Sequence, residues 1–233
     1  MLRHVTRLWT DALDFIYPPR CLACAAGEQA PETPHLCVAC LQALDAEPMP
    51  PPVDFVEQFL RRGLQKAFDE CRAAWHYSEK MQRLVHAMKY EGKLSIARLL
   101  AKGMSMRMNH LNHAPGESMV IVPVPMHARR RRERGYNQSA LLASELSKWW
   151  KLRVDAKSLR RVRDTLQQAL LSAEERHRNV EDAFAATPPD AFVNKTVFLI
   201  DDVVTTGSTM NACAQALKSA GAARVCVLAA ARA

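Results

Sequence analysis

The stretch that most constrains this chain is residues 197–209, VFLIDDVVTTGST. Thr196 to Ile200 is an apolar run of buried-strand type, and it carries Asp201 and Asp202 to the strand's carboxyl end, where open α/β sheets receive ligands. Val203 and Val204 lead into Thr205, Thr206, Gly207, Ser208 and Thr209, and a helix over 209–220 follows, stopped at Gly221. Capping that helix needs one Ser or Thr. It does not need two acids, three threonines, a serine and a glycine within residues 201–209. Inward N–H groups, hydroxyl donors and a helix N-terminus together suit a phosphate monoester. Gly207 permits close backbone approach, and the paired carboxylates can accept hydrogen bonds from vicinal sugar hydroxyls. The block therefore predicts a cradle for a ribose 5-phosphate group. That prediction requires the bend to face a cavity and the acids not to be buried in an internal ion pair.

The remaining pattern supplies a sheet for this strand. Strands are expected near 71–77, 119–124 and 224–230, with helices at 79–90, 95–108 and 137–150. Strands alternating with helices predict an α/β fold, a mostly parallel sheet covered on both faces. Pro48 to Val53 (PMPPPV) marks a boundary, and 54–66 reads as a basic helix. The expected domains are 1–47, 48–66 as a linker with that helix, and 67–233. Residues 2–16 read as an amphipathic helix rather than a signal peptide, and no run of about 18 apolar residues could cross a membrane. The expected location is the cytoplasm. No nucleotide-triphosphate or dinucleotide glycine motif is found.

The net charge of +8 is local. Between Arg129 and Arg178 lie 14 basic and 6 acidic residues, and elsewhere there are 18 of each. A basic block of this kind predicts a polyanionic partner: pyrophosphate, a nucleotide or a nucleic-acid backbone. A solvated basic face is the plain alternative. Tyr136, Trp149 and Trp150 could stack on single-stranded DNA, although one core and one half-exposed tryptophan is the simpler reading of the last two.

Four of the seven cysteines fall in residues 21–40. Cys21-x₂-Cys24 and Cys37-x₂-Cys40 are two knuckles able to set four thiolates around one structural Zn²⁺, with disulfides and an iron–sulfur cluster as alternatives and His35 as a spare ligand. About forty residues cannot build a core alone, so metal would supply the folding free energy. Cys213 and Cys226 read as buried apolar thiols.

The 197–209 block resembles the signature of type I phosphoribosyltransferases. More of the chain is similar to the ComF (competence protein F) family: CLAC…CVAC at 21–40, KYEGK at 89–93, VPVPMHARRRRERGYNQSALLA at 122–143 and TLQQALLSAEERHRNVEDAF at 165–184. The resemblance implies a type I phosphoribosyltransferase-like fold with an N-terminal zinc module. It implies binding of phosphoribosyl pyrophosphate with Mg²⁺, and a part in DNA uptake or use alongside other uptake proteins. Asp201 and Asp202 would hold the ribose, and Val203 to Thr209 the 5′-phosphate. The strand ending at Val122–Pro125 would begin the pyrophosphate loop, with Arg129, Arg131, Arg134, Asn137 and Gln138 beside it and Lys89 contacting phosphate or acceptor. Thr165, Gln168, Arg176 and Asn179 match a closing loop over 160–179, the register of Gln168 against Gln167 being open. His127 reads as a packed or capping residue. The acceptor-facing hood would come from residues 1–66. Three functions fit: a phosphoribosyltransferase with an unidentified acceptor, a single-stranded-DNA-binding accessory factor without catalysis, and a ligand sensor.

Overall fold

The computed structural model describes residues 20–26, 28–30, 35–61, 63–112, 118–162 and 183–233. The amphipathic segment 2–16 and the loop residues Thr165, Gln168, Arg176 and Asn179 lie outside them. The elements are α1 (Val38–Ala46), α2 (Val56–Leu60), β1 (Glu70–His76), α3 (Glu79–Tyr90), α4 (Ser95–Arg107), β2 (Ser118–Pro123), α5 (Ala128–Arg134), α6 (Gln138–Trp150), β3 (Leu159–Arg161), β4 (Phe184–Ala186), β5 (Lys195–Val204), α7 (Ser208–Ser219) and β6 (Arg224–Arg232).

Four strands form a wholly parallel sheet in the order β1-β6-β5-β2. Alternate side chains of a strand point to opposite faces. Phe198 and Ile200 of β5, with Cys226 and Leu228 of β6, therefore pack under α3, α4 and α6. Val197, Leu199, Val225 and Val227 pack on the other face against α7 and the aromatic residues Phe55, Phe59 and Phe68. Helices on both faces of a parallel sheet bear out the expected fold class. Among the described residues no helix is long and apolar enough to cross a membrane.

Three expectations are corrected. The helix read over 54–66 is only Val56–Leu60. It stops because Gly63 adopts φ +68° and because Asn211 of α7 pins the following chain, accepting from Ala67 N at 2.7 Å and donating to Gln65 O at 3.0 Å. Stacking of Phe55, Phe59 and Phe68, with ring centroids 5.8–6.1 Å apart, outweighs helical propensity there. The strand expected over 196–201 runs on to Val204. Finally, β3 and β4 pair as a two-stranded antiparallel ribbon where no strand was expected.

The four-cysteine module does not stand apart. Cys21, Ala23, Leu36, Cys40 and Leu44 belong to the same apolar cluster as Met81, Leu84 and Met88 of α3. Trp75 Nε1 donates to Leu44 O at 2.9 Å, and Arg83 donates to Ala23 O at 3.1 Å. Arg107 donates to the carbonyls of Leu44, Asp45 and Glu47 while its guanidinium lies 5.1 Å from the Trp75 ring centroid. The change in composition near 48 is thus crossed by continuous packing.

Candidate functional site

β5 and β2 are paired in parallel, so their carboxyl ends open side by side. Val124 N donates to Ile200 O at 2.9 Å, which holds the chain after β2 against the end of β5. At these ends lies a cavity of about 340 Å³ whose lining includes Asp201, Asp202, Thr205, Thr209, Arg130 and Arg134. The bend therefore faces a cavity, as required.

The two acids differ. Asp201 Oδ1 accepts from the buried Ser139 Oγ at 2.6 Å and from Asp202 N at 2.9 Å, while the residue stays partly exposed. Burial, and then the neighbouring Asp202, push its carboxyl up to about 7 against the opposing influence of Ser139 and Lys89. Asp202 is buried, and its Oδ2 lies 2.5 Å from Lys89 Nζ. Burial draws the Lys89 ammonium down, but Asp202 and Asp201 reverse this and leave it above its ordinary value. For Asp202, then, the requirement of no internal ion pair is not met. A sugar hydroxyl reaches Asp202 only by displacing Lys89, whereas Asp201 is open to the cavity.

Elsewhere in the block, Val203 lines the cavity, while Val204 points into the opposite core. Thr206 Oγ1 and Ser208 Oγ lie 3.0 Å apart, and Ser208 is buried. Gly207 adopts φ +71°, and a Cβ there would sit 3.2 Å from the Phe55 ring. Its missing side chain suits that left-handed conformation and the close Phe55 ring, in addition to the backbone approach expected above.

The arginine run is a short helix, α5, capped by His127, which accepts from Arg129 N at 3.3 Å, and ended by Gly135 at φ +85°. Helical spacing sorts the arginines. Arg130 and Arg134, four apart, line the cavity; Arg129 turns outward and pairs with Glu133 at 3.1 Å; Arg131 lines a neighbouring cavity. Arg134 donates to Gln138 Oε1 at 2.7 Å and stacks on Tyr90, its guanidinium 4.9 Å from the ring centroid. Asn137 uses both ends of its amide, donating to Val124 O at 3.0 Å and accepting from Ser139 N at 3.0 Å. It shapes the loop. Ser139, Arg130, Arg161, Tyr77 and Tyr90 also line the cavity and were not singled out from sequence. An i,i+4 reading of ARRRRER would have found Arg130; nothing local points to the others. None of the described residues 20–66 lines this cavity, so the hood expected from that span is not seen there.

In the cysteine module the four Sγ atoms lie within 4.8 Å of one another, and Cys24 Sγ is 3.9 Å from Cys37 Sγ. Sulfurs at the corners of a Zn–S tetrahedron are about 3.8 Å apart, whereas a disulfide needs about 2.05 Å. None of the seven cysteines is joined in a disulfide. Burial pushes the Cys21 thiol up, but N–H groups of Cys37, Cys24 and Ala23 aimed at its sulfur bring it below the ordinary value. Burial and hydrogen bonds from the other three thiols push Cys40 up to about 12. Four sulfurs so crowded could hold a zinc ion.

Comparison with known proteins agrees with this geometry. Residues 95–233 match the phosphoribosyl transferase domain family. Competence protein F of Haemophilus influenzae is 33% identical over 172 residues, which cover 72% of this chain and 75% of that protein. The DNA utilization protein YhgH of Escherichia coli is 36% identical over 151 residues, covering 64% of this chain and 66% of that protein. Competence protein ComFC of Bacillus subtilis is 27% identical over 152 residues, 65% of this chain and 59% of that one. With a parallel sheet that opens on an acid pair and a hydroxyl-rich bend, and with these likenesses along most of its length, the chain belongs to the phosphoribosyltransferase family, in its competence protein F branch.

Proposed function

We infer that the chain binds phosphoribosyl pyrophosphate, or a related ribose 5-phosphate compound, in the cavity at the ends of β5 and β2, and transfers the phosphoribosyl group to an acceptor. One observation carries this reading: Asp201 opens onto a cavity that is also lined by Thr209, in the N-terminal turn of α7, and by Arg130 and Arg134. The 5′-phosphate would meet Thr205, Thr209 and the first N–H groups of α7, which have no partner within the helix. The ribose hydroxyls would donate to Asp201 and, once Lys89 moves off, to Asp202. Pyrophosphate would face the arginines. In the transfer the acceptor's lone pair forms a bond to C1, the C1–O bond to pyrophosphate breaks, and the acceptor gives up a proton. Fixed cations beside the departing pyrophosphate lower the barrier because they need no reorganisation as charge develops. Mg²⁺ would enter with the ligand and neutralise its phosphates, and the oxygen donors Asp201 and Asp202 suit such a hard cation.

Ligand-induced thermal stabilisation tests the reading. Phosphoribosyl pyrophosphate with Mg²⁺ should raise the melting temperature of the wild-type protein and leave that of a folded Asp201→Asn/Asp202→Asn variant unchanged. An equal shift in both sinks it. Release of pyrophosphate in a screen of bases and nucleotides separates a transferase from a ligand sensor.

In the cysteine module, the clustering of four sulfurs within 4.8 Å of one another favours a structural zinc ion, with four thiolates closing the shell. A second functional reading, single-stranded-DNA binding without catalysis, is favoured by the exposed Arg129, Arg131 and Arg132 on α5 and by the competence and DNA-utilization names of the relatives. Binding of a labelled strand should then fall steeply as salt rises, because each neutralised phosphate releases counterions. A flat salt response removes that reading.

A further inference from the structure

Next to the phosphoribosyl cavity lies a larger one of about 640 Å³, and the two share Pro125, Met126, Asn137 and Arg161. Among the described residues four cations line it, Arg131, Lys157, Arg160 and Arg161, and no carboxylate does. Among the described residues, Arg131, Lys157 and Arg160 form no ion pair, although bringing like charges together costs free energy unless an anion joins them. Asp155, two residues before Lys157, is already engaged: its Oδ1 accepts from the backbone N–H groups of Lys157 at 3.0 Å and Ser158 at 2.9 Å. That turn sets Lys157 at the cavity, and Arg160 Nε donates to Lys157 O at 3.1 Å, while among the described residues its outer guanidinium nitrogens have no recorded partner.

Apart from Asn137, the rest of the described wall is apolar, with Met126, Leu141 and Leu159, and it carries one aromatic ring, Tyr136. The Tyr136 hydroxyl donates to Met88 O, so this ring is anchored. A bare phosphate or polyphosphate would leave that wall without a partner, and an uncharged base would leave the cations without one. The volume falls within the range of small-molecule sites, about 300–1,000 Å³.

The geometry points to a nucleotide: we propose that this second cavity binds a nucleoside 5′-monophosphate unit, its phosphate among Arg131, Lys157 and Arg160 and its base against Tyr136, Met126 and Leu141. Planar guanidinium groups match phosphate oxygens two at a time, and a fixed ring offers any base a face to stack on. The unit is either a free nucleotide or the end of a DNA strand. The inference rests on the phosphoribosyl reading only in supposing that the neighbouring cavity takes a different ligand.

Because AMP contains ribose 5-phosphate, the test must tell the two cavities apart. Isothermal titration of the full chain with AMP is compared between wild type, Lys157→Gln/Arg160→Gln and Asp201→Asn/Asp202→Asn, with far-UV circular dichroism confirming that each variant folds. The expected result is a loss of at least about tenfold in AMP affinity in the first variant, the size of a lost charged contact, and wild-type affinity in the second. Unchanged affinity in Lys157→Gln/Arg160→Gln, loss of AMP binding in Asp201→Asn/Asp202→Asn, or no binding to wild type overturns the proposal. A missing response of the wild type to phosphoribosyl pyrophosphate instead overturns the reading of the first cavity and leaves this comparison intact. A 5′-phosphorylated trideoxyadenylate, titrated in parallel, identifies the source. Tighter binding than AMP assigns a strand end, equal or weaker binding assigns the free nucleotide, and either upholds the site.

Discussion

The ammonium of Lys89, at the end of α3, lies 2.5 Å from the carboxylate of Asp202, at the end of β5, and the mostly buried pair lines the cavity at the ends of β5 and β2. Lys89 thereby occupies the position of a cation beside the two acids. A ligand that binds there has to compete with it, and a bound Mg²⁺ or sugar would release it toward phosphate.

Breaking this pair from one side should be costly. Lys89→Met leaves a buried carboxylate without its counter-charge, and the loss of stability should be about 3–5 kcal/mol. Lys89→Met combined with Asp202→Asn should recover most of it, because neither charge then remains. Urea unfolding of the two single variants and the double variant checks this; a double variant no more stable than Lys89→Met would rule it out.

Asp201 gives a pH signature of determinate sign. Its carboxyl is pushed up to about 7 in the folded chain from an ordinary 3.8. Between those values the native state holds more protons than the unfolded state, so stability falls as pH rises from about 4 to about 7. Asn cannot titrate. The melting temperature of wild type minus that of Asp201→Asn should therefore decrease across this window, and taking the difference cancels the acid sensitivity of the thiolates. A constant difference would show that Asp201 titrates normally.

Removal of zinc should destabilise the whole chain, not the module alone, because Cys21 and Cys40 share an apolar cluster with α3. Chelation should lower the melting temperature by roughly 6–12 °C, corresponding to a loss of about 3 kcal/mol in a chain of this size. Metal analysis should find one zinc per chain, and Cys24→Ser should imitate the chelated protein. A fully folded chain without metal and with an unchanged melting temperature would contradict the zinc site.

The arginines should separate by helical face. Arg134→Gln removes a cation from the cavity wall and should weaken phosphoribosyl pyrophosphate binding by about tenfold. Arg129→Gln removes an outward residue paired with Glu133 and should leave it unchanged. Equal losses in a calorimetric titration would mean that net charge, not position, governs binding.

Close packing of α4 on Trp75 gives a control unrelated to the site. A Cβ on Gly103 of α4 would lie 2.4 Å from the Trp75 ring. Gly103→Ala should cost about 1–3 kcal/mol by overpacking despite the gain in helix propensity, read as a lower denaturation midpoint.

Much of this protein was legible in its sequence because the signals are local. The apolar run before Asp201, the hydroxyl-rich bend and Gly221 fix a strand, a turn and a helix within 26 residues, from 196 to 221. Paired Cys-x₂-Cys spacing likewise brings thiols together whatever surrounds them. What joins distant segments was not legible. Lys89 was a candidate, but its partner Asp202 stands 113 positions further on, and the bond from Ser139 to Asp201 spans 62. Phe55 closing on Gly207, the outward turn of Arg129 against the inward one of Arg130, and the second cation-lined cavity all depend on how the sheet brings elements together. Periodicity reports which side of an element is apolar, but not which other element covers it. That is decided by long-range packing, where burial and Coulomb interaction between residues far apart in the chain outweigh local propensity.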